Sequence, residues 1–235
     1  APEAAARVFE RYDLVSAPVV NAYGQLIGRL TVDQVMDVAV ESAQEDMLAQ
    51  VGLEPESDLF ANVWRAARNR WPWLIINLCT AFIASRVIGV FEDSIEKIVA
   101  LAALMPIVAS IGGNTGNQAV ALTIRGLALD QIDGRNARYL VLKELGVSLA
   151  NGALWGSVMG AATWLLYGRP MLGLVMAAAM VLNMVLAALI GIGIPLGLGA
   201  LGRDPAMGSS ILLTFVTDAG GFFIFLGLAS LVLAV

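Results

Sequence analysis

The sequence predicts an all-α polytopic membrane protein with five transmembrane helices and a partial α/β segment at its N-terminus. Of the 235 residues, 58% are hydrophobic and only 14% are charged, against about 25% charged in a typical soluble domain. No charge occurs between Lys97 and Arg125, between Glu144 and Arg169, or between Arg169 and Arg203. Each of these tracts exceeds the roughly 20 residues that cross a bilayer core, which indicates membrane helices.

The first 50 residues are typical of soluble sequence. A helix, a strand over 17–20, a turn over 21–24, a strand over 26–30 and a helix from Thr31 are predicted. This segment is too short to close a core alone, so we expect the chain to begin partway through an α/β domain. No cleavable signal is visible, because the N-terminus lacks a basic and then apolar leader.

Residues 51–71 are predicted to form a linker and an amphipathic helix, and residues 72–235 a membrane domain. Ser57 is a candidate cap for the amphipathic helix, whose apolar face carries Val63 and Trp64 and suits a membrane surface. The five predicted spans cover 72–91, 98–124, 140–167, 171–199 and 207–234.

The charged residues indicate orientation and exclude several kinds of partner. By the positive-inside rule, the bases place the N-terminal region in the cytoplasm and, with an odd number of spans, the C-terminus outside. The net charge of −5 argues against nucleic acid as a partner. The single Cys79 excludes an internal disulfide, and a chain without histidine cannot build a usual zinc site. The bases on the cytoplasmic side are Arg65, Arg68, Arg70, Arg125, Arg135, Arg138, Lys143 and Arg203, and those on the other side are Lys97 and Arg169.

Asp218 lies near the middle of the fifth predicted span and is the only carboxylate expected deep in the bilayer. A charged side chain there costs at least about 2.5–3.5 kcal/mol on insertion scales, so it is a functional-site candidate. The alternative is an acid at the edge of a span whose boundaries are misplaced.

The second predicted span contains a stretch that is polar for a membrane helix, SIGGNTGNQ at 110–118. Pro106 weakens this helix, and the glycines permit either close approach of another backbone or local unwinding. The amides offer oxygen atoms to a cation or its waters; alternatively, they only join helices. Combined with Asp218 in another span, they favour a cation pathway. The glycines are Gly112, Gly113 and Gly116, and the amides are Asn114, Asn117 and Gln118.

The ligand types indicate which cation would pass. Oxygen ligands without histidine or a nearby thiol favour a hard ion. Mg²⁺ keeps several of its waters and needs only one or two carboxylates, whereas Ca²⁺ usually takes more direct oxygen ligands. One Asp218 per chain, doubled in a symmetric dimer, would supply two carboxylates.

Two motifs together resemble the MgtE family of Mg²⁺ channels and its relatives among the eukaryotic solute carriers: PIVASIGGNTGNQ (106–118) and TDAGGFFIFLGLA (217–229). Residues 16–38 resemble the end of the second CBS domain of that family, and residues 57–70 resemble its plug helix. The resemblance implies a homodimer in the cell (inner) membrane, with a Mg²⁺ pore along the dimer axis that cytosolic Mg²⁺ closes. It implies neither an enzymatic activity nor an organic substrate.

The resemblance also implies roles for single residues. Asp218 matches the aspartate that holds the hydrated ion, Asn114 matches a pore-lining asparagine, and the carbonyl one turn before the aspartate is that of Thr214. Acidic clusters repel until a divalent ion bridges them, so Mg²⁺ would select a closed state; alternatively they are an ordinary solvated surface. Gln34 and Ser42 stand where the family often carries acids, which would weaken gating. The acids that match the closing sites are Asp13, Asp37, Glu45, Asp46 and Asp204.

Three other functions stay open. A coupled exchanger would trade Mg²⁺ against Na⁺ or H⁺, with Asp218 as a proton-binding group. An intramembrane aspartyl protease needs two carboxylates that share a proton, and this chain offers one deep acid. A non-conducting scaffold would use its polar residues only to join helices, and it leaves the burial of Asp218 unexplained.

Overall fold

The computed structural model describes residues 2–53, 60–129, 131–132 and 136–233, and these are mainly helical. The N-terminal unit contains α1 (Pro2–Tyr12), β1 (Ser16–Val20), β2 (Leu26–Thr31) and α2 (Val32–Gln50). The remaining helices are α3 (Val63–Gly89), α4 (Glu92–Lys97), α5 (Ala100–Ala128), α6 (Ala137–Tyr167), α7 (Pro170–Ala200) and α8 (Ser209–Leu233). From α5 onward the long helices match the predicted spans to within a few residues. The short helix α4 is not predicted by the sequence.

Three helices in the described part of the chain, α3, α7 and α8, are long and apolar enough to cross a membrane. α5 and α6 contain 29 and 31 residues, which corresponds to at least about 43 Å and exceeds the roughly 30 Å of a bilayer core. They are less apolar, because α5 carries the polar stretch 110–118 and α6 carries the charged residues Arg138, Lys143 and Glu144. The fold is that of a helical membrane protein with a small two-stranded sheet.

Short-range hydrogen bonds explain the elements of the N-terminal unit. The Oδ1 atom of Asn21 accepts from the backbone N–H groups of Tyr23 and Gln25, each at 3.0 Å, and so closes the turn between the antiparallel strands. The Oε1 atom of Gln34 accepts from the backbone N–H of Thr31 at 3.0 Å, which satisfies a free donor at the start of α2. The strands, turn and second helix predicted from the sequence are confirmed. Gln34, which departs from the acidic pattern, thus has a structural role.

α3 begins later than the sequence predicts and runs without a break into the first predicted span. The Oδ1 atom of Asn62 accepts from the backbone N–H of Trp64 at 3.0 Å and caps the helix. Ser57, the predicted cap, lies outside the described residues. Pro72 lies inside α3, at the border of the predicted amphipathic helix and span, yet the two segments form one continuous helix.

α7 is the central helix and packs against α5, α6 and α8. Its contact with α6 depends on three glycines spaced four residues apart on one helix face, Gly152, Gly156 and Gly160. A Cβ atom on Gly160 would lie 2.7 Å from the carbonyl oxygen of Gly173. The two backbones therefore touch, as they do at small-residue interfaces between membrane helices. This run of glycines lies outside the motifs that the sequence analysis identified.

Gly160→Ala is expected to destabilise the bundle, because the added methyl group must push α6 away from α7. Overpacking of this kind costs about 1–3 kcal/mol, measurable as the change in the free energy of unfolding in detergent. Gly146→Ala on the same helix is the matched control, since a Cβ atom there would have no neighbour within 4 Å among the described residues. The control is expected to be neutral or slightly stabilising, because alanine favours the helix. Equal losses in both variants would contradict the packing described.

Candidate functional site

The two faces of α5 differ in burial. Gly112 and Gly116 lie on the buried face, toward α7 and α8. Ser110, Asn114 and Gln118 follow one another at a spacing of four residues and are exposed in the single chain, so they form one line along the helix. We call these three residues the polar stripe. Polar groups in hydrocarbon are costly unless water or protein meets them, so the polar stripe requires a polar neighbour.

α5 and α8 run antiparallel and touch along the glycine motif. A Cβ atom on Gly113 would lie 4.0 Å from the hydroxyl oxygen of Thr217, and the next turn of α5 packs against the preceding turn of α8. Gly113 precedes Asn114, and Thr217 precedes Asp218. The fold therefore brings the two sequence motifs together. The sequence left two roles open for these glycines, close approach of another helix or local unwinding of α5. The structure shows close approach, since α5 is an unbroken helix.

Asp218 is partly buried on α8. Within the described ranges, its carboxylate forms no hydrogen bond and no ion pair with a lysine or arginine. A charge at that position therefore has no partner among the described residues of its own chain. An acid of this kind is costly to bury, and a cation that approaches from the exposed side would offset the cost.

Thr214, one turn before Asp218, is well connected within α8. Its hydroxyl donates to the carbonyl oxygen of Ser210 at 2.8 Å, and its carbonyl accepts from the hydroxyl of Thr217 at 3.2 Å. In a helix that carbonyl also accepts from the N–H four residues on, so both lone pairs are occupied. An ion would reach the Thr214 carbonyl only after the hydroxyl of Thr217 turned away. That hydroxyl has a second acceptor available, the Leu213 carbonyl at 3.1 Å.

The acids matched to the closing sites lie on α2 and in two loops, one before β1 and one before α8. Asp13, Asp37, Glu45 and Asp204 are exposed, and Asp46 is partly buried. No group of three or more histidine, cysteine, aspartate or glutamate side chains in the described ranges is placed to hold a metal. The Oδ1 atom of Asp204 accepts from the backbone N–H of Ala206 at 2.8 Å, so this acid also shapes the loop before α8.

Two features of the N-terminal unit extend the sequence-based site. Asp37 and Glu45 share an exposed face of α2 with Asp33 and Glu41, all four spaced by four residues, so like charges are neighbours along the helix. The spacing alone would have identified this acidic face. In addition, Asp46 lines a cavity of about 280 Å³ together with Glu10 of α1 and the end of α5, at Ala128 and Leu129.

The N-terminal unit also contacts the start of α8. The backbone N–H of Gly208 donates to the carbonyl oxygen of Ala49 at 2.9 Å. The indole ring of Trp73 fills the space beside Gly52 and Gly208, where any Cβ atom would overlap it. Both glycines have positive φ, 73° and 62°, a conformation that other residues rarely adopt. A displacement of α2 would therefore also move the start of α8.

Two buried polar residues of the membrane helices were missed by sequence reasoning. Asn183 of α7 is 1% exposed and lies between α5 and α8; an amide in an otherwise apolar tract is a signal that could have identified it. Glu144 of α6, at the edge of the third span, is 7% exposed and pairs with Lys143 at 2.9 Å. Asp218 is therefore not the only carboxylate of the membrane helices that is withdrawn from solvent.

Comparison with known proteins gives consistent relatives. A family model described as MgtE, divalent cation transporter, matches residues 105–228. The chain is 35% identical over 230 residues to the magnesium transporter MgtE of Bacillus subtilis, covering 97% of this chain and 51% of that protein. It is 37% identical over 238 residues to the magnesium transporter MgtE of Thermus thermophilus, covering 98% of this chain and 52% of that protein. The chain thus spans about half the length of these relatives.

The matched region is just over half of the chain and contains the glycine motif of α5 and Asp218 of α8. The family is one of transporters and not of enzymes, in agreement with the sequence-based prediction. On these grounds the chain belongs to the MgtE family of divalent cation transporters.

Proposed function

We propose that the protein conducts Mg²⁺ across the cell membrane through a pore lined by the polar stripe of α5 and by Asp218 of α8. The observation that carries the proposal is the exposed polar stripe, which lies on α5, packed beside the helix of Asp218, an acid without an ion-pair partner among the described residues. Amide and carboxylate oxygens suit a hard, hydrated ion. The relatives are named magnesium transporters, which supports Mg²⁺ as that ion.

Five membrane spans per chain are part of this proposal. α6 packs antiparallel to α7, with Gly152 near Val181 and Gly160 near Gly173. α5 packs parallel to α7. Gly112 of α5 lies beside Asn183, and Gly116, one turn later on α5, lies beside Gly191, which is further along α7. Because α5 and α6 lie along α7, an apolar helix long enough to span a membrane, and successive helices alternate in direction, all three fit the same bilayer. The distribution of bases then supports a cytoplasmic N-terminus and an extracytoplasmic C-terminus.

The pore would lie on the twofold axis of a homodimer. In such a dimer the same face of each chain meets its copy, so two polar stripes and two Asp218 carboxylates would surround one path. The waters of Mg²⁺ would then contact the amides, and the two acids would balance the charge of the ion. This arrangement supports transport of the hydrated ion.

Closure by cytosolic Mg²⁺ would act through the N-terminal unit, with residues 1–50 as the end of a CBS domain and residues 51–71 as linker and plug helix. An ion between Asp46 and Glu10 would hold α2 against α1, in the cavity that the end of α5 also lines. The exposed acids of α2 and Asp13 would be drawn together by further ions, and Asp204 would join from the loop before α8. The contact of Trp73 with Gly208 would carry this change to the pore helix.

Trp73→Ala is expected to leave Mg²⁺ uptake intact but to weaken its inhibition by internal Mg²⁺. Coupling between sites is typically worth a factor of about 5–150 in affinity, so the inhibitory Mg²⁺ concentration should rise at least roughly fivefold. Trp64→Ala is the matched control, because Trp64 is on the same helix but 68% exposed. Unchanged inhibition in Trp73→Ala would contradict this route of coupling.

The proposed function is tested by Mg²⁺ uptake into liposomes that contain the purified full-length protein and a Mg²⁺ indicator. We expect uptake with a Mg²⁺ gradient alone. Uptake that stops when Na⁺ and H⁺ gradients are removed would instead indicate a coupled exchanger. Absence of uptake under either condition would contradict transport and favour the non-conducting scaffold.

A further inference from the structure

Asn183 occupies the point where α5, α7 and α8 meet. Its Nδ2 atom donates to the carbonyl oxygen of Val108 at 2.8 Å. A Cβ atom on Gly221 would lie 2.7 Å from that Nδ2 atom, and a Cβ atom on Gly112 would overlap the same amide. The carboxamide of Asn183 therefore fits between two glycines, one from each polar motif. Neither glycine could carry a side chain without moving it.

The other end of this amide has no partner in the described part of the chain. The Oδ1 atom of Asn183 is fully buried and accepts no hydrogen bond from any described residue. An unpaired buried acceptor is unfavourable, whereas an apolar side chain of the same shape avoids that loss. Leucine has nearly that shape. A residue that only filled space among three helices would therefore not need to be an asparagine.

The contacts of Asn183, a hydrogen bond to α5 and packing against α8, lie near both predicted ion contacts. Val108 lies six residues before Asn114 on α5, and Gly221 lies three residues after Asp218 on α8. The amide thus holds α5 at a point within two turns of Asn114, and α8 at a point within one turn of Asp218. A reversed amide would set its oxygen against the carbonyl of Val108, so the donor end is required at that place.

We propose that Asn183 is a positioning residue of the ion pathway, which holds the polar stripe of α5 and Asp218 of α8 at a fixed separation. This inference rests on the proposed function, because it is the width of that pathway that Asn183 would set. Sites that act on an ion lose performance when their supporting residues allow about 1 Å of movement. Asn183 touches neither the ion nor its waters in this role; it acts through α5 and α8.

The test compares Asn183→Leu with Thr163→Val in the full-length protein, reconstituted in liposomes. Thr163 is a matched control because its buried hydroxyl is likewise without a partner among the described residues, but it lies on α6, away from both motifs. Both substitutions remove a buried polar group and keep its shape. We expect both variants to fold with thermal midpoints close to that of the parent.

Mg²⁺ uptake per folded protein is expected to match the parent in Thr163→Val. In Asn183→Leu it should fall about tenfold, the scale on which one hydrogen bond acts, and the ratio of Mg²⁺ to Ca²⁺ uptake should change as well. A role in folding alone would not alter that ratio. If Asn183→Leu does not fold, Asn183→Ser is scored in the same way, because a smaller side chain cannot overpack the site.

Two results would overturn the inference. The first is parent-like uptake and selectivity in the folded Asn183 variant while Asp218→Ala abolishes uptake, which would leave the proposed function intact. The second is an equal loss in Thr163→Val, since any buried polar group would then have the same effect. A parent protein without Mg²⁺ uptake would instead contradict the proposed function itself.

Discussion

Asp218→Asn and Asp218→Ala are expected to abolish Mg²⁺ uptake, with a loss of at least about a hundredfold. Asparagine keeps the shape of the side chain and removes only its charge, so the asparagine variant isolates the electrostatic contribution. Removing one partner of a buried charge pair typically costs about 3–5 kcal/mol, which exceeds a hundredfold in an equilibrium. Uptake into liposomes, normalised to folded protein, measures the effect.

The stability of these variants should stay the same or increase, although their Mg²⁺ uptake is lost. Asp218 is partly buried, and within the described ranges no cation of its own chain pairs with it, so a neutral side chain removes an unfavourable charge. We expect an equal or higher thermal midpoint for Asp218→Asn in Mg²⁺-free buffer. Glu96→Gln, at an exposed acid on α4, is the control for charge alone. Normal uptake in both Asp218 variants would remove the central site.

Gly191→Ala is expected to reduce both stability and uptake. A Cβ atom on Gly191 would lie 2.6 Å from the carbonyl oxygen of Gly116 and 2.9 Å from the Cβ atom of Ala119. Because the first of these neighbours is backbone, α7 must move away from α5 at the glycine motif. Overpacking of this kind costs about 1–3 kcal/mol, and the displacement acts on the helix that carries the polar stripe.

Gly193→Ala on α7 is the control for Gly191→Ala. It makes the same glycine-to-alanine change at a position where the added methyl group has room. A Cβ atom on Gly193 would have no neighbour within 4 Å in the described ranges. This variant should therefore gain slightly in stability from the helix preference of alanine and transport Mg²⁺ as the parent does. The measurements are the thermal midpoint in detergent and Mg²⁺ uptake per folded protein. Parent-like behaviour of Gly191→Ala in both would show that α5 and α7 are not in backbone contact there.

Local sequence signals predicted the elements of the fold well. A charge-free tract over 170–202 marked α7, because a helix in lipid largely excludes charge. The turn at Asn21 followed from the ability of its side chain to accept from its own backbone. The start of α3 was misjudged because a serine and an asparagine both suit a cap. Only the structure shows that Asn62 fills that role.

The neighbours of each residue were less accessible from sequence. Asn183 is visible as an amide in an apolar tract, but its position between Gly112 and Gly221 depends on how three helices cross. The burial of Glu144 is hidden for the same reason, since it depends on how the helices pack. The motifs indicated which side chains are unusual, while the packing of α5, α7 and α8 determines which of them meet.

The central claim is that the polar stripe of α5 and Asp218 line a water-filled path shared by two chains. Thiol accessibility of Asn114→Cys, with Cys79→Ser, tests it most directly. A charged, water-soluble reagent is expected to modify Asn114→Cys, Mg²⁺ to slow the reaction, and a short bifunctional reagent to join two chains. Leu154→Cys, on an exposed apolar face of α6, should resist the charged reagent. Modification of Asn114→Cys by lipid-soluble reagents alone, without cross-linking, would contradict the account.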